Sequence, residues 1–531
     1  MNGDLALSAD HLEEFLGYHH SIGKIMYFNQ AGLDEFVVLY PPAVVNILRS
    51  FITDKMFWPK GNIFHILELM YINGKVSKQN LEEIWSQEWI PIKSKEIHDF
   101  IIKLLVHLDV LIIPQQYREG TISKSQNANT FLVPCIVVDQ LPMTFLEDKG
   151  TFEERTLSLV FSMKKPLLPP ALAYKMIGAV ASIWPLKEEN GKAQLFQFAA
   201  VLNIDSENEM QIFVQNNEII VYLTNEKSAK RISPDVAASI QECLANTFDY
   251  ALSFYYNIMS SEKKTFHASE HYEIRIGEVC NKQPCAITVA DAKTKKEWSC
   301  KQGRCHKTGI ALRWVFDRKK KLNNCPDDCN GLTCTDLNQP DDYLLMRLAD
   351  SYGVNCFGDL MTHLGLTKDE QEDLRDKYND NLVLKFMGFV KWRDNNTTLL
   401  ADPVIAEIQT AFSKIGDNRH QFCQVLRNPL DAIEIGTFEL QGTPDDTVLN
   451  KLARKMGNCA IHLGVELRLD LNVIENIIYK HPKSLFDQNE EVLIEWKKQF
   501  GSNATILCLM EAVSRIKKGQ TFLKETYLNK K

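Results

Sequence analysis

210-MQIFVQNNEIIVYLT-224 reads as two strand-like runs, alternating only in part, on either side of Asn216-Asn217. Asparagine is one of the few residues that tolerates a positive φ, so the pair predicts a two-residue turn and the whole stretch a β-hairpin. The neighbouring run 194-QLFQFAAVLNI-204 offers a further strand. On either side lie helical patterns. In 169-PPALAYKMIGAVASIW-184 an opening proline suits a first helical turn, and Leu172, Met176, Ile177, Val180 and Trp184 fall on one face. In 234-PDVAASIQECLANTFDYALSFY-255 the stripe is Ile240, Leu244, Phe248 and Leu252. Residues 150–278 therefore read as a sheet with helices against it, an α/β unit.

Upstream, residues 11–140 read as short helices with short strands. Phe36 to Tyr40 is β-branched and aromatic and is stopped by Pro41-Pro42, and a helix with Val44, Leu48, Phe51 and Ile52 on one face follows. Helical patterns recur at 63–72, 79–86 and 96–108, and strands are expected at 109–113 and 131–138. The polar loop 115-QQYREGTISKSQNANT-130 would be the wing of a winged-helix-like layout.

Bulk properties narrow the class. A chain of 531 residues exceeds one core and suggests three to four domains at about 150 residues each. With 45% hydrophobic and 24% charged residues it belongs with folded soluble proteins. A net charge of −8 lacks the basic surface that a general nucleic-acid binder needs, so no nucleic-acid partner is expected. The N-terminus has no basic segment followed by an apolar run, and no stretch has the length of a membrane span. The expected compartment is the cytoplasm, where the 13 cysteines would be thiols or metal ligands.

The chemistry-bearing residues cluster in 279–340, a cysteine-rich module with a basic run at Arg318–Lys321. Zinc takes four soft ligands from closely spaced pairs, and Cys280 with Cys285, then Cys300 with Cys305, approximate that plan. His306 and His271 are substitutes for one ligand; packed thiols are the alternative to metal. Cys325, Cys329 and Cys334 follow. A cysteine nucleophile would need a histidine and an orienting group beside it, which adjacency in sequence at Cys305-His306 does not supply. No G-K-[ST] loop is present: Gly74-Lys75 precedes Val76, Gly191-Lys192 precedes Ala193 and Gly23-Lys24 precedes Ile25. No nucleotide is therefore expected as a cofactor.

Beyond Asp341 the chain reads as helical twice over. In the second half Leu493, Trp496 and Phe500 form a stripe, and the break Gly501-Ser502-Asn503 precedes a helix with Ile506, Met510 and Val513. In the first, Thr367 and Glu370 form a capping box, and Trp392 lies late in a helix as Trp496 does. Acidic residues Asp369, Glu370, Glu372, Asp373 and Asp376 oppose in sign Lys480, Lys483, Lys497 and Lys498 of the second half, and the two sets are candidate partner-binding patches.

Several of these signals occur together, in order, in one family. The runs 15-FLGYHHSIGKIMYF-28, 39-LYPPAVVNILRSFITD-54 and 131-FLVPCIVV-138, with 168-LPPAL-172 opening the second unit, resemble the COR region of ROCO proteins over about residues 11–278. The arrangement from Trp496-Lys497 through Gly501 to Ala504-Thr505 resembles a death domain. The resemblance implies winged-helix-like (11–140) and α/β (150–278) COR subdomains, the cysteine-rich module (279–340), and two six-helix death-domain bundles (341–428 and 443–520). It further implies a non-enzymatic signalling scaffold, dimerising through COR, holding a GTPase in trans and recruiting death-domain proteins in apoptosis or innate immunity. The alternative it leaves open is the C-terminal regulatory part of a ROCO GTPase or kinase.

Overall fold

The computed structural model of the chain describes residues 9–28, 32–86, 94–113, 115–118, 121–124, 129–142, 152–164, 168–189, 192–205, 207–226, 232–259, 270–315, 340–352, 356–396, 407–408, 410–412, 414 and 440–528. It is mixed α/β with a large antiparallel sheet and a helical C-terminal region, divided into two compact units, residues 1–316 and 317–531. The expectations for Cys325, Cys329, Cys334, Arg318–Lys321 and most of 397–428 lie outside the described residues.

The sheet of the first unit has seven strands, ordered Gln283–Thr288, Tyr272–Cys280, Thr156–Met163, Glu218–Asn225, Asn208–Gln215, Ala199–Asn203 and Leu195–Phe196, antiparallel throughout. The hairpin expected at 210–224 forms, with Gln215 opposite Glu218 and both turn asparagines at positive φ, 52° and 61°. Successive side chains point to opposite faces, and both faces are covered. Phe161 packs with Phe248 of the long helix Pro234–Met259 and with Tyr272 on one side, while Val160 joins Phe196, Phe213, Ile220, Tyr222 and Val279 on the other. Thr156–Met163 is accordingly buried over its first six residues although its sequence alternates, Leu157, Leu159 and Phe161 on one face and Thr156, Ser158 and Val160 on the other. Its interior hydroxyls are hydrogen-bonded: Thr156 to Thr224 at 2.9 Å, and Ser158 to the Glu278 carbonyl at 2.7 Å.

Upstream, helices Pro42–Arg49, Asn62–Asn73, Lys78–Trp85 and Lys95–His107 surround a core that includes Phe51, Leu67, Trp85 and Leu105. The expected strands here shrink. Phe36–Tyr40 makes one bridge, Val38 to Met26, and 109–113 makes one, Ile112 to Leu132. Of the expected 131–138 strand, Phe131 and Leu132 lie in the short strand Thr130–Leu132 that pairs with Lys75–Ser77, before a 3-10 turn at Pro134–Ile136. The polar loop does form a hairpin, Gln115–Arg118 with Thr121–Lys124. This part is tied to the sheet half by the largely buried Lys175–Asp109 ion pair at 2.9 Å.

Two expected boundaries move. The one at 278/279 falls inside the strand Tyr272–Cys280, and the next strand, Gln283–Thr288, joins the same sheet of the first unit. The second helical segment runs past 520, its last helix being Gln520–Tyr527. That segment contains six helices, Asp446–Ala453, Ala460–Glu466, Leu471–Lys480, Leu485–Phe500, Ile506–Ile516 and Gln520–Tyr527. The first shows four full helices among the described residues, Asp342–Ser351, Phe357–His363, Lys368–Lys377 and Asn381–Asn395. Thr367 and Glu370 make the expected capping box, and Trp392 and Trp496 are both buried. Among the described residues no helix is long and apolar enough to cross a membrane.

Candidate metal centre

Two hairpins bring the ligating side chains together. The first joins Tyr272–Cys280 to Gln283–Thr288 through Asn281 and Lys282, both at positive φ, so Cys280 stands at the turn and Cys285 faces Glu278 across the ladder. In the second, Glu297–Ser299 pairs with Cys305–Lys307, Trp298 lying opposite His306. Its turn is closed by the Cys300 amide donating to the Arg304 carbonyl (2.9 Å) and the Gly303 amide to the Cys300 carbonyl (3.0 Å). Gly303, at φ 77°, supplies the left-handed residue that this turn requires.

The outcome is a cluster of Cys280, Cys285, Cys300 and His306 whose ligand atoms all lie within 4.8 Å of one another. Four ligands about 2.3 Å from one zinc ion in a tetrahedron would stand about 3.8 Å apart, so the set is compact enough to close on a metal. His306 is held on three sides. Its Nδ1 is 3.1 Å from Glu278 Oε2, its Nε2 is 3.3 Å from Cys280 Sγ, and its ring stacks on Trp298 with centroids 4.9 Å apart. Around the thiols, Arg304 donates to Cys280 Sγ at 3.9 Å and Cys285 donates to Gln302 Oε1 at 3.7 Å. The donor set fits a metal: three sulfurs and one imidazole nitrogen, with the other ring nitrogen already engaged. These four residues could hold one.

The sequence expectation is corrected at one ligand. Cys305 occupies a strand next to His306, and because neighbours in a strand point to opposite faces, placing His306 in the cluster turns Cys305 out to solvent. His271, the other substitute, directly precedes the strand that Cys280 ends, about 30 Å away at the usual rise per residue.

Cys280, His306 and Glu278 also line up as a thiol, a base and an orienting carboxylate, an order the sequence did not suggest. A nucleophile needs access and a thiolate. Cys280 is 1% exposed and burial pushes its thiol up, as it does for Cys285. Cys300 differs: burial raises it, but hydrogen bonding with His306 and with the backbone of Gln302 and Arg304 outweighs that and brings it down to about 6. Three thiols converging on one imidazole suit metal ligation better than attack on a substrate.

In the second unit the expected charge patches are placed as follows. Asp369, Glu372, Asp373 and Asp376 are exposed on the helix Lys368–Lys377, while Glu370 is drawn into the capping box and lies 3.6 Å from Lys391. Lys480, Lys497 and Lys498 pair with Glu491, Asp446 and Glu495 of their own half, and Lys483 is partly buried. The two halves meet through other residues. Arg468 pairs with Asp341 at 2.9 Å and lies over the Tyr343 ring at 3.4 Å, and Tyr378 donates to Glu475 at 3.3 Å. The first of these contacts lies at a helix N-terminus, where sequence periodicity carries no signal for a partner.

Fold and site together define a protein of two units, one α/β with a four-ligand cluster at its sheet edge and one helical. No protein-family profile matches the chain. It is similar to a probable serine/threonine-protein kinase, pats1, of Dictyostelium discoideum, with 26% identity over 136 residues. The match covers 25% of this chain and 4% of that protein's length.

Proposed function

We propose that this chain is a cytoplasmic signalling scaffold and not an enzyme: a ROCO-type COR region, winged-helix-like in 11–140 and α/β beyond, followed by two death domains. COR would mediate self-association and hold a GTPase in trans, and the death domains would recruit death-fold proteins in apoptotic or innate-immune signalling. The observation that carries the reading is the repeated helical architecture of the second unit, with Trp392 and Trp496 buried late in corresponding helices. The exposed acids Asp369, Glu372 and Asp373 offer a surface that a basic partner would be steered to. The full chain, titrated against purified death-fold domains, is expected to bind at least one of them, more weakly as salt is raised. Binding to none would overturn the proposal.

A second reading has the partial similarity to a probable kinase in its favour: the chain would be the regulatory end of a ROCO GTPase or kinase. An in-frame catalytic segment upstream in the native transcript would decide for it.

On either reading zinc is the ion that the Cys280, Cys285, Cys300 and His306 set selects. With four protein ligands the site leaves no open position, which is the arrangement of a structural ion that fastens the second hairpin to the sheet edge. Purified protein is expected to carry about one zinc per chain, lost in Cys280→Ser and Cys300→Ser and retained in Cys305→Ser. Zinc far below that level in the unaltered chain, or lost with Cys305→Ser, would count against this set.

A further inference from the structure

We propose that Glu278 is the positioning residue of this centre: it holds His306 so that Nε2 faces the three thiols. The inference rests on the zinc reading above and goes beyond it, because it assigns a role to a residue that is not a ligand. Glu278 is 6% exposed, and a carboxylate so placed needs a strong partner. Its Oε2 lies 3.1 Å from His306 Nδ1, and the imidazole is the partner that the ladder brings to it. Strand phase explains the arrangement. Glu278 and Cys280 are two residues apart, so they share one face of their strand, and Cys285 stands opposite Glu278 in the next. The carboxylate is thus built into the same surface as two of the thiols, behind the imidazole.

An Nδ1–H that donates to Glu278 leaves the Nε2 lone pair free for a cation and makes that nitrogen a stronger donor. The Trp298 ring, stacked on His306 at 25°, restricts the remaining rotation. Without Glu278 nothing would hold Nδ1, the imidazole would be free to turn, and the set would become three thiols with no fixed nitrogen.

The test uses the purified full chain, with zinc affinity measured by competition with a chelator and ligand identity read from the absorption bands of added cobalt(II). Glu278→Ala is expected to weaken zinc binding by about 10- to 100-fold and to shift the cobalt bands as His306→Ala does. Glu278→Gln keeps the shape and an acceptor for Nδ1–H, so it is expected to preserve the cobalt spectrum with a loss of about tenfold. Wild-type affinity in Glu278→Ala, or weaker binding with an unshifted spectrum, would overturn the proposal. If Glu278→Ala does not fold, Glu278→Gln decides: undiminished affinity, or a spectrum like that of His306→Ala, overturns it. A wild-type chain that takes up neither ion would instead sink the zinc reading itself.

Discussion

Replacing Gly277 with alanine is expected to destabilise the first unit by about 4 kcal/mol or more, the range reached when a substitution meets backbone that has nowhere to go. Gly277 faces Ala286 on one neighbouring strand and Ser158 on the other. A Cβ there would overlap the carbonyl oxygen of Cys285 and stand 2.8 Å from the Ala286 Cα. The strand cannot retreat cheaply, because it is laddered on both sides and the Glu278 carbonyl accepts from Ser158 at 2.7 Å. Any shift would also carry Cys285 away from the cluster. The measurement is denaturant unfolding of the full chain, with the second unit's transition as internal reference, alongside zinc content. Gly309, with nothing near where its Cβ would be, is the control and should tolerate alanine with little effect. A Gly277→Ala chain that unfolds like wild type would show that the two strands do not approach as closely as described.

Trp496→Ala is expected to cost the second unit about 3–5 kcal/mol, the usual penalty for removing a large aromatic ring from a packed core. Trp496 is 2% exposed and shares its helix's inner face with Val492 and Leu493. Loss of helical circular dichroism at lower denaturant, with the first unit unchanged, is the expected observation. Any loss of partner binding should track that unfolding. Ile494 on the same helix is 48% exposed, and its alanine variant should change stability by less than about 0.5 kcal/mol. Equal effects at the two positions would mean that the helix does not present Trp496 to a core.

Much of the architecture was written locally. Asn216-Asn217 between two runs rich in β-branched and aromatic residues specified a hairpin turn, because only a few residue types accept positive φ. The proline-opened helices Pro42–Arg49 and Pro170–Ile183 and the Thr367–Glu370 capping box were legible for the same reason: backbone preference and capping act over three or four residues. Other segments had to wait for a partner. Phe36–Tyr40 has strand composition yet forms a single bridge among the described residues, Val38 with Met26, since a strand exists only where another chain segment takes up its hydrogen bonds. Thr156–Met163 alternates, and yet its more polar face, Thr156 and Ser158, is buried as well, which the covering of both sheet faces decides and the sequence does not.

At the site, spacing identified Cys280, Cys285 and Cys300, because a tight turn brings residues on either side of it together whatever the rest of the fold does. Residue type then favoured Cys305 over its neighbour. The choice belonged to tertiary structure. Pairing of Glu297–Ser299 with Cys305–Lys307 fixed the strand's phase, sent Cys305 to solvent and put His306 between Glu278 and the thiols. Sequence determined which side chains could ligate and which turns would gather them; the register between two hairpins decided which four converge, since shifting a strand by one residue exchanges every side chain between its faces.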